Sequence, residues 1–366
     1  MESRIPIQNL YYLLTYAWDC LEEGGLVDVS GIESSDLADL YASVMLSGVR
    51  HLLRRGLEQT YVPVEAELAG VRGRIQVAAS TRRMLPQHGR MLCEYDELSV
   101  DTLPNRILLA TVRRLIEAPG LDRRLHDELR ALSRSLGGVR SVHLHKQLFR
   151  MVQLHGNNGF YRFLLNLCEL ILDTSLSTEE EGQYRFREFV RDPKRMPALF
   201  EAFVYNFYRR ECPEVDVRSE CIRWAATSED DPDLSFLPRM QTDISLRTPG
   251  RTLIIDTKFY QQTLQKRFGS ESVHSANLYQ LYSYLRNLEP RGGADAMVEG
   301  VLLYPVVDRA LRLRYVIGGH ALTVQTVNLA ASWWEIREEL LGVVVESNGL
   351  NRSHDLLPTS GPRMSS

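Results

Sequence analysis

The sequence predicts a mixed chain, α+β and α/β in class, in two domains. The first combines helices with a strand hairpin; the second is a central mixed sheet flanked by helices. Three observations carry this. The chain has 366 residues, 44% hydrophobic and 25% charged, which suits a soluble globular chain with room for two domains. Helical spacing dominates up to about residue 212, broken by one alternating stretch, whereas strand texture dominates from about 214. Between them "LHGNNGF" (154–160) interrupts the pattern with turn residues, so the boundary is expected at 155/156. The predicted domains are 1–155 and 156–348, followed by a disordered polar tail, 349–366.

The elements follow from local patterning. Residues 9–22 and 36–55 carry apolar residues at spacings of three and four, with Asp36 as a candidate cap. "VPVEAEL" and "GRIQVAA" alternate instead and read as strands around Gly70–Gly73. "MLCEYDELSV" reads as a strand, and a helix is expected from about Leu103. Another follows over 121–136, and "VRSVHL" (139–144) reads as a short strand. Helices are expected over 160–176 and 196–212, joined by a polar loop. Strands are then predicted in "DVRSECIRW", "MQTDISLRT", "TLIIDTKFY", "EGVLLYPV", "LRYVIGG" and "ALTVQTVNLA". A helix, "SANLYQLYSYLRNLE", precedes the fourth of these, and a closing helix covers 332–346.

Composition narrows the function classes. The net charge is −4 and the pI near 6.2, so whole-chain charge does not announce nucleic-acid binding; a local basic groove would be needed. The five cysteines are scattered without a C-x-x-C pair, as expected of reduced thiols in a cytoplasmic protein. There is no run of 18 apolar residues, so no membrane span or membrane partner is expected. The apolar stretch Leu10–Trp18 reads as a packed helix rather than a signal peptide. No Gly-Lys dipeptide occurs, which excludes a phosphate-binding loop and nucleotide hydrolysis by this chain. His143 and His145 share a strand face but have no third ligand at metal spacing. No zinc-finger, RNP or convincing helix-turn-helix pattern appears.

One constellation carries chemistry. "TDISL", a turn and "TLIIDTK" form a strand–turn–strand unit. In an antiparallel pair the start of one strand lies beside the end of the other, so Asp243 and Asp256 converge. Lys258, two residues on, shares the face of Asp256. Only four of the 43 basic residues are lysine, yet this position keeps the compact ammonium instead of the planar fork of arginine. Two carboxylates with the Thr257 backbone carbonyl suit a hard divalent cation, Mg²⁺ above all. The neighbouring ammonium suits a water nucleophile and a charged phosphate. The reading is metal-assisted phosphodiester hydrolysis. An ordinary surface Asp–Lys pair is the bland alternative. The Pro232–Asp233 pair lies in an acidic, turn-rich run and reads as a solvated loop. Gln280, on the following helix, is a candidate contact of Lys258 or the ion. Glu201 is either a third acid or an ion-pair partner of Arg195 or Arg209. Tyr260, Tyr279, Tyr282 and Tyr284 read as packing residues rather than base-stacking ones.

These residues resemble a known family. "MQTDISLRTPGRTLIIDTKFY" is similar to the PD-(D/E)-x-K nuclease core of the McrC family, the nuclease subunits of McrBC restriction systems. "IPIQNLYYLLTYAWD" (5–19), "GVRGRI" (70–75), "DTLPNRIL" (101–108), "GQYRF" (182–186), "FLPRM" (236–240) and "HSANLYQLYSYL" (274–285) resemble it in the same order. The resemblance runs from about residue 4 to 346. It implies a restriction-endonuclease-like core, with metal-binding acids at Asp243 and Asp256 and a catalytic lysine at Lys258. Thr242 stands where the motif expects proline; Glu201 is not carried over.

The resemblance also implies cleavage of double-stranded DNA containing modified (5-methyl) cytosine. Base reading and GTP binding would belong to an McrB-like AAA+ GTPase hexamer. The N-terminal domain would dock on that ring and stimulate its GTP hydrolysis. Arg72 and Arg74, in the glycine-flanked "GVRGR" loop, are candidate docking residues, against the plainer reading of a solvated hairpin turn. Two rivals stand beside this: a stand-alone Mg²⁺-dependent DNA nuclease, and a non-catalytic adaptor that activates the ring.

Overall fold

The computed structural model describes residues 5–25, 37–154, 158–177, 184–186, 195–259, 265–267, 270–306 and 310–346. Asp36, Tyr260 and the expected disordered tail 349–366 lie outside the described residues. The chain divides into two compact units, Pro6–Pro213 and Glu214 onward.

The first unit opens with α1 (Ile7–Ala17), α2 (Leu21–Gly24) and α3 (Leu37–Arg55). Strands β1 (Thr60–Leu68) and β2 (Arg74–Ile75), helix α4 (Val77–Arg82) and strand β3 (Met91–Ser99) follow. Next come α5 (Leu103–Ile116), α6 (Arg123–Ser135), α7 (Lys146–Met151) and α8 (Gly159–Thr174), then β4 (Ser175–Ser177), β5 (Tyr184–Phe186) and α9 (Arg195–Glu211). Tyr41 and Met45 of α3, Ile107 and Leu108 of α5, Phe163 of α8 and Phe203 of α9 are all fully buried. Gly48 lets α3 approach α8: a Cβ there would stand 2.4 Å from Leu164 Cδ2. The boundary expected at 155/156 is displaced to 213/214 because α8 packs on α3 and α5, and α9 on α1. Those apolar helices complete the N-terminal core instead of starting a new one.

The two strands expected around Gly70–Gly73 do not pair with each other as a hairpin: both pair with β3, in the order β1-β3-β2. β1 and β3 pair over nine antiparallel positions, from Thr60↔Ser99 to Leu68↔Met91. β2 adds only Arg74 and Ile75 to β3. The strand expected to continue through "VAA" becomes α4. There Ser80 donates to the Gln76 carbonyl and accepts from Leu92 N–H at 2.9 Å, taking the place of the next ladder bond. Gly73 has φ +64, and a Cβ there would meet the Glu94 carbonyl oxygen at 2.4 Å, so this turn requires glycine.

"VRSVHL" forms no strand; Arg140 N–H is captured by Asp101 instead of a ladder partner. That contact belongs to a polar knot built from "DTLPNR". Asp101 accepts two 2.7 Å bonds from Arg106. The wholly buried Asn105 amide donates to the Glu58 and Val100 carbonyls and accepts from Tyr161 Oη, which itself accepts Glu58 N–H. The knot joins the base of the β1–β3 pair to α5 and α8.

The second unit is one six-stranded mixed sheet with smaller pieces around it. Its strands are β6 (Asp216–Arg218), β7 (Cys221–Ile222), β8 (Met240–Gln241), β9 (Ile244–Thr248), β10 (Arg251–Thr257), β11 (Gln265–Arg267), β12 (Ser270–Ser272), β13 (Glu299–Pro305), β14 (Arg312–Ile317) and β15 (His320–Val327). Helix α10 (Ser275–Leu288) precedes β13, and α11 (Trp333–Glu346) ends the unit. The sheet order is β14-β15-β13-β10-β9-β6. β10, β13 and β15 run parallel; β9 and β14 are antiparallel to their inner neighbours. β10 and β13 are buried almost throughout, which is why both read as continuous apolar runs. Parallel neighbours need a crossover, and α10 supplies it, packing Leu281 and Leu285 over Gly300.

Two stability predictions follow from the polar knot. Asn105→Ala strands Tyr161 and two carbonyls, so chemical denaturation should show a loss of about 1–3 kcal/mol. Arg106 holds the Asp101 carboxyl well below the usual carboxylate range. Its contribution is therefore present above the unfolded value, near pH 4, and is lost as the pH falls further. In acid titrations followed by circular dichroism, Asp101→Asn should be less stable at pH 7 and lose less stability below about pH 4.

Candidate active site

The site begins with register. Ile244 of β9 pairs with Ile255 of β10, so Asp243, one residue before β9, faces Asp256. Instead of continuing the ladder, Asp243 uses its side chain: Oδ2 accepts Thr257 N–H at 2.8 Å and Thr257 Oγ1–H at 3.1 Å. Thr242, where the motif expects proline, is 1% exposed, and its hydroxyl accepts Glu220 N–H and bonds Ser245. It thus anchors the strand start through bonds that proline could not make. Lys258 N–H donates to the Leu303 carbonyl at 2.9 Å, so the lysine backbone is held by β13.

Asp256 pairs in register with Leu302, and Leu302 with Val324. In-register neighbours share a face, and Ile254, Leu302 and Val324 belong to the core that holds Leu281, Tyr284 and Leu285 of α10. Asp256 therefore lies on the α10 face of the sheet. Its carboxylate is wholly buried, and Lys258 Nζ, 16% exposed, stands 2.8 Å from Oδ2. Taking such a pair out of water costs several kcal/mol per ion before Coulomb attraction returns it. A solvated surface pair, the bland alternative, would have no such burial. Asp233 is exposed in the loop between β7 and β8, which Asp231 closes by accepting Ser235 and Phe236 N–H, whereas the strands expected in "DVRSECIRW" and "MQTDISLRT" are each broken in two, β6 and β9 joining the six-stranded sheet and β7 and β8 pairing apart from it.

Two carboxylates at facing positions, beside a strand-end carbonyl at Thr257, match the chemistry of a small hard cation. Mg²⁺ is commonly held by one or two carboxylates, the rest of its shell being water and substrate phosphate. Among the described residues no group of three or more His, Cys, Asp or Glu side chains forms a richer cluster. Two carboxylates and a carbonyl, with water and substrate phosphate left to complete the shell, is a donor set of the kind Mg²⁺ accepts.

Gln280 acts through Tyr284, a residue expected to serve packing. Gln280 Nε2 donates to Tyr284 Oη at 2.8 Å, and Tyr284 donates in turn to the Gln241 carbonyl at 2.8 Å. Gln241 ends β8, two residues before Asp243, so this relay ties α10 to the strand start that presents the first acid. Burial raises the Tyr284 hydroxyl pKa, and the Asp256 and Asp243 carboxylates raise it further, while Gln280 and Lys258 oppose. The phenol is thus a neutral donor within the field of the site. The signal was available: positions 280 and 284 are i,i+4 and meet on one helix face.

The remaining candidates lie in the first unit. Glu201 is exposed on α9. The arginines considered as its partners bond elsewhere as well, Arg195 to Asp173 and Arg209 to Asp19. Arg72 and Arg74 are exposed beside Gly73, and the Arg72 guanidinium stacks over Tyr95 at 4.1 Å from the ring centre. The segment between β1 and β2 thus has one arginine pinned to β3.

Comparison with known proteins places the chain. The model of the McrBC 5-methylcytosine restriction system component family matches residues 7–305. The Escherichia coli (strain K12) protein described as "Type IV methyl-directed restriction enzyme EcoKMcrBC" is 39% identical over 342 residues, 93% of this chain and 98% of that protein. A chain in the half-complex from the tetradecameric assembly of Thermococcus gammatolerans McrB AAA+ hexamers with bound McrC superposes with a TM-score of 0.59. It is 19% identical and covers 92% of this chain and 76% of that chain; at that identity the likeness speaks for the fold alone. By the extent of the family match and the identity to the E. coli protein, the chain belongs to the McrBC 5-methylcytosine restriction system component family.

Proposed function

We propose that this chain is the endonuclease subunit of a GTP-dependent, cytoplasmic restriction system. It cuts double-stranded DNA containing modified (5-methyl) cytosine while docked on an McrB-like AAA+ GTPase hexamer. The observation that carries the reading is the facing pair Asp243–Asp256 with Lys258 Nζ 2.8 Å from Asp256, in a chain of this family. The E. coli relative's description as a methyl-directed restriction enzyme and the T. gammatolerans assembly with AAA+ hexamers support substrate and partner.

The residues divide the work. Asp243, Asp256 and the Thr257 carbonyl would hold Mg²⁺, whose chemistry is to acidify a water and neutralise phosphoryl charge. Asp243 also caps Thr257 N–H, which fixes the end of β10 against the start of β9. Lys258 places an ammonium where charge grows on the phosphate, and its neighbour Asp256 holds it there. Gln280 and Tyr284 position rather than react, by holding Gln241 and hence the strand that leads to Asp243. Base reading and GTP hydrolysis fall to the partner, since this chain has no phosphate-binding loop. Docking falls to the first unit, with Arg72 and Arg74, on either side of Gly73, as contacts.

Cleavage assays on modified and unmodified DNA, with and without partner and GTP, test this. Cutting should require the complete mixture and Mg²⁺, stop with EDTA and return on adding Mg²⁺; cutting by the chain alone would favour a stand-alone nuclease. Asp256→Ala should abolish cutting and leave GTPase stimulation intact. Lys258→Ala should slow it by about 10²–10³-fold. Tyr284→Phe removes two hydrogen bonds from the relay but keeps the ring, and should lower kcat by about tenfold, the equivalent of about 1.4 kcal/mol.

A further inference from the structure

The chain reaches Asp243 across a step between two sheets. Cys221 and Ile222 pair with Gln241 and Met240 in the small β7–β8 sheet. Arg218 pairs with Ser245, and Ile255 with Ile244, in the six-stranded one. Ser219 and Glu220 on one strand, and Thr242 and Asp243 on the other, lie between the two ladders. Buried backbone at such a step must find partners outside a regular ladder.

Side chains supply most of them. Thr242 N–H donates to the Glu220 carbonyl at 2.9 Å, and Glu220 N–H returns to Thr242 Oγ1 at 2.9 Å. Ser219 Oγ donates to the Thr242 carbonyl at 2.7 Å and accepts Gln241 Nε2 at 3.1 Å. The Thr242 hydroxyl also bonds Ser245 Oγ at 2.9 Å, and both residues are buried. Glu220 is fixed in its turn. Its carboxylate takes Arg247 Nη2 at 3.1 Å, and Arg247 also holds Asp295. A rigid anchor therefore reaches the step on the Glu220 side, and Thr242 grips it on the side of Asp243.

We infer that Thr242 is a positioning residue for the first acid: its hydroxyl, bound to Glu220 N–H and Ser245, sets where Asp243 presents its carboxylate. The catalytic consequence rests on the nuclease reading of the Asp243–Asp256–Lys258 site. The bonds of the Thr242 hydroxyl run to Glu220 and Ser245, so it acts through Asp243 and not as a ligand. Asp243 Oδ2 caps Thr257 N–H, so a shift at the step would also loosen the end of β10. A misplacement of about 1 Å can cost about 10²-fold in rate, which makes one buried hydroxyl enough to matter. Proline, which completes the literal motif, has neither this hydroxyl nor an N–H for Glu220.

The test compares Thr242→Val, which keeps the shape and removes the hydroxyl, with Thr242→Ser, which keeps the hydroxyl. Thr326→Val is the control: that hydroxyl is also buried and accepts a backbone N–H, from Leu311 at 2.8 Å, away from the step. Hydrogen exchange of the full chain, read at Thr257 N–H, reports the Asp243 cap without metal, DNA or partner. Thr242→Val should speed that exchange about tenfold, while Thr242→Ser and Thr326→Val stay within about twofold of wild type. Calorimetric titration with Mn²⁺ should show affinity weakened about tenfold in Thr242→Val and largely kept in the other two. In cleavage assays with partner and GTP, Thr242→Val should lower kcat with KM for DNA within about twofold. Unchanged Thr257 exchange in Thr242→Val would overturn the assignment, as would an equal effect of Thr326→Val, which would mark general loosening. If Asp243→Ala binds Mn²⁺ as tightly as wild type, the nuclease reading of the site fails instead, while the exchange series still decides whether Thr242 positions Asp243.

Discussion

The register of β10 against β9 is the constraint on which the site depends. Side chains alternate faces along a strand, so a slip of one residue would turn Ile254, Asp256 and Lys258 together away from α10 and bring Ile255 and Thr257 there instead. Three interactions hold β10 in its place in the sheet. The apolar run Leu253–Ile255 is buried on both sides. Asp243 closes the open end of the pair by accepting Thr257 N–H. At the other end, Arg251 forks onto Glu299 of β13 through Nε and Nη2. The first acid is thus both a candidate ligand and the cap that fixes the second acid's strand.

A wholly buried carboxylate beside a nearly buried ammonium is an expensive arrangement to maintain, and well-packed apolar residues would serve stability as well or better. Its presence at the carboxyl end of parallel strands, where α/β sheets open their crevices, favours a chemical role over a structural one. The Arg247 network makes the contrast. Arg247 bonds Glu220, Asp295 and Thr252, and Thr252 in turn bonds Asp295 at 2.6 Å. Every group there is satisfied by another within the cluster, which braces β9 against β10 and the turn before β13. That is what a structural ionic cluster looks like in this fold.

Much of this was legible in the sequence. The converging acids follow from strand–turn–strand spacing alone, and Lys258 from period-two alternation. The buried central strands announced themselves as apolar runs, and the helices α3, α5, α6, α8 and α10 as apolar residues at spacings of three and four. What the sequence hid was tertiary. "VRSVHL" has strand propensity, but Asp101 takes Arg140 N–H. "VAA" alternates like a strand, but Ser80 bonds Leu92 and ends the ladder. The turn-rich segment at 154–160 looks like a domain boundary, yet α8 and α9 carry apolar faces that fit the N-terminal helices. Local pattern states that a face is apolar and is silent on which face it meets. The Gln280–Tyr284 relay was visible as i,i+4 spacing but not as a link to Gln241, 43 residues upstream in the chain.

The central claim is that Asp243 and Asp256 form a cation site and that Lys258 stands beside it without being a ligand. Calorimetric titration of the full chain with Mn²⁺, a spectroscopically convenient substitute for Mg²⁺, tests it without requiring DNA, partner or turnover. The account predicts binding by wild type, loss of that binding in Asp243→Ala and in Asp256→Ala, and retention or tightening in Lys258→Ala, where a repelling charge is removed. Equal Mn²⁺ binding by wild type and both aspartate variants would contradict it.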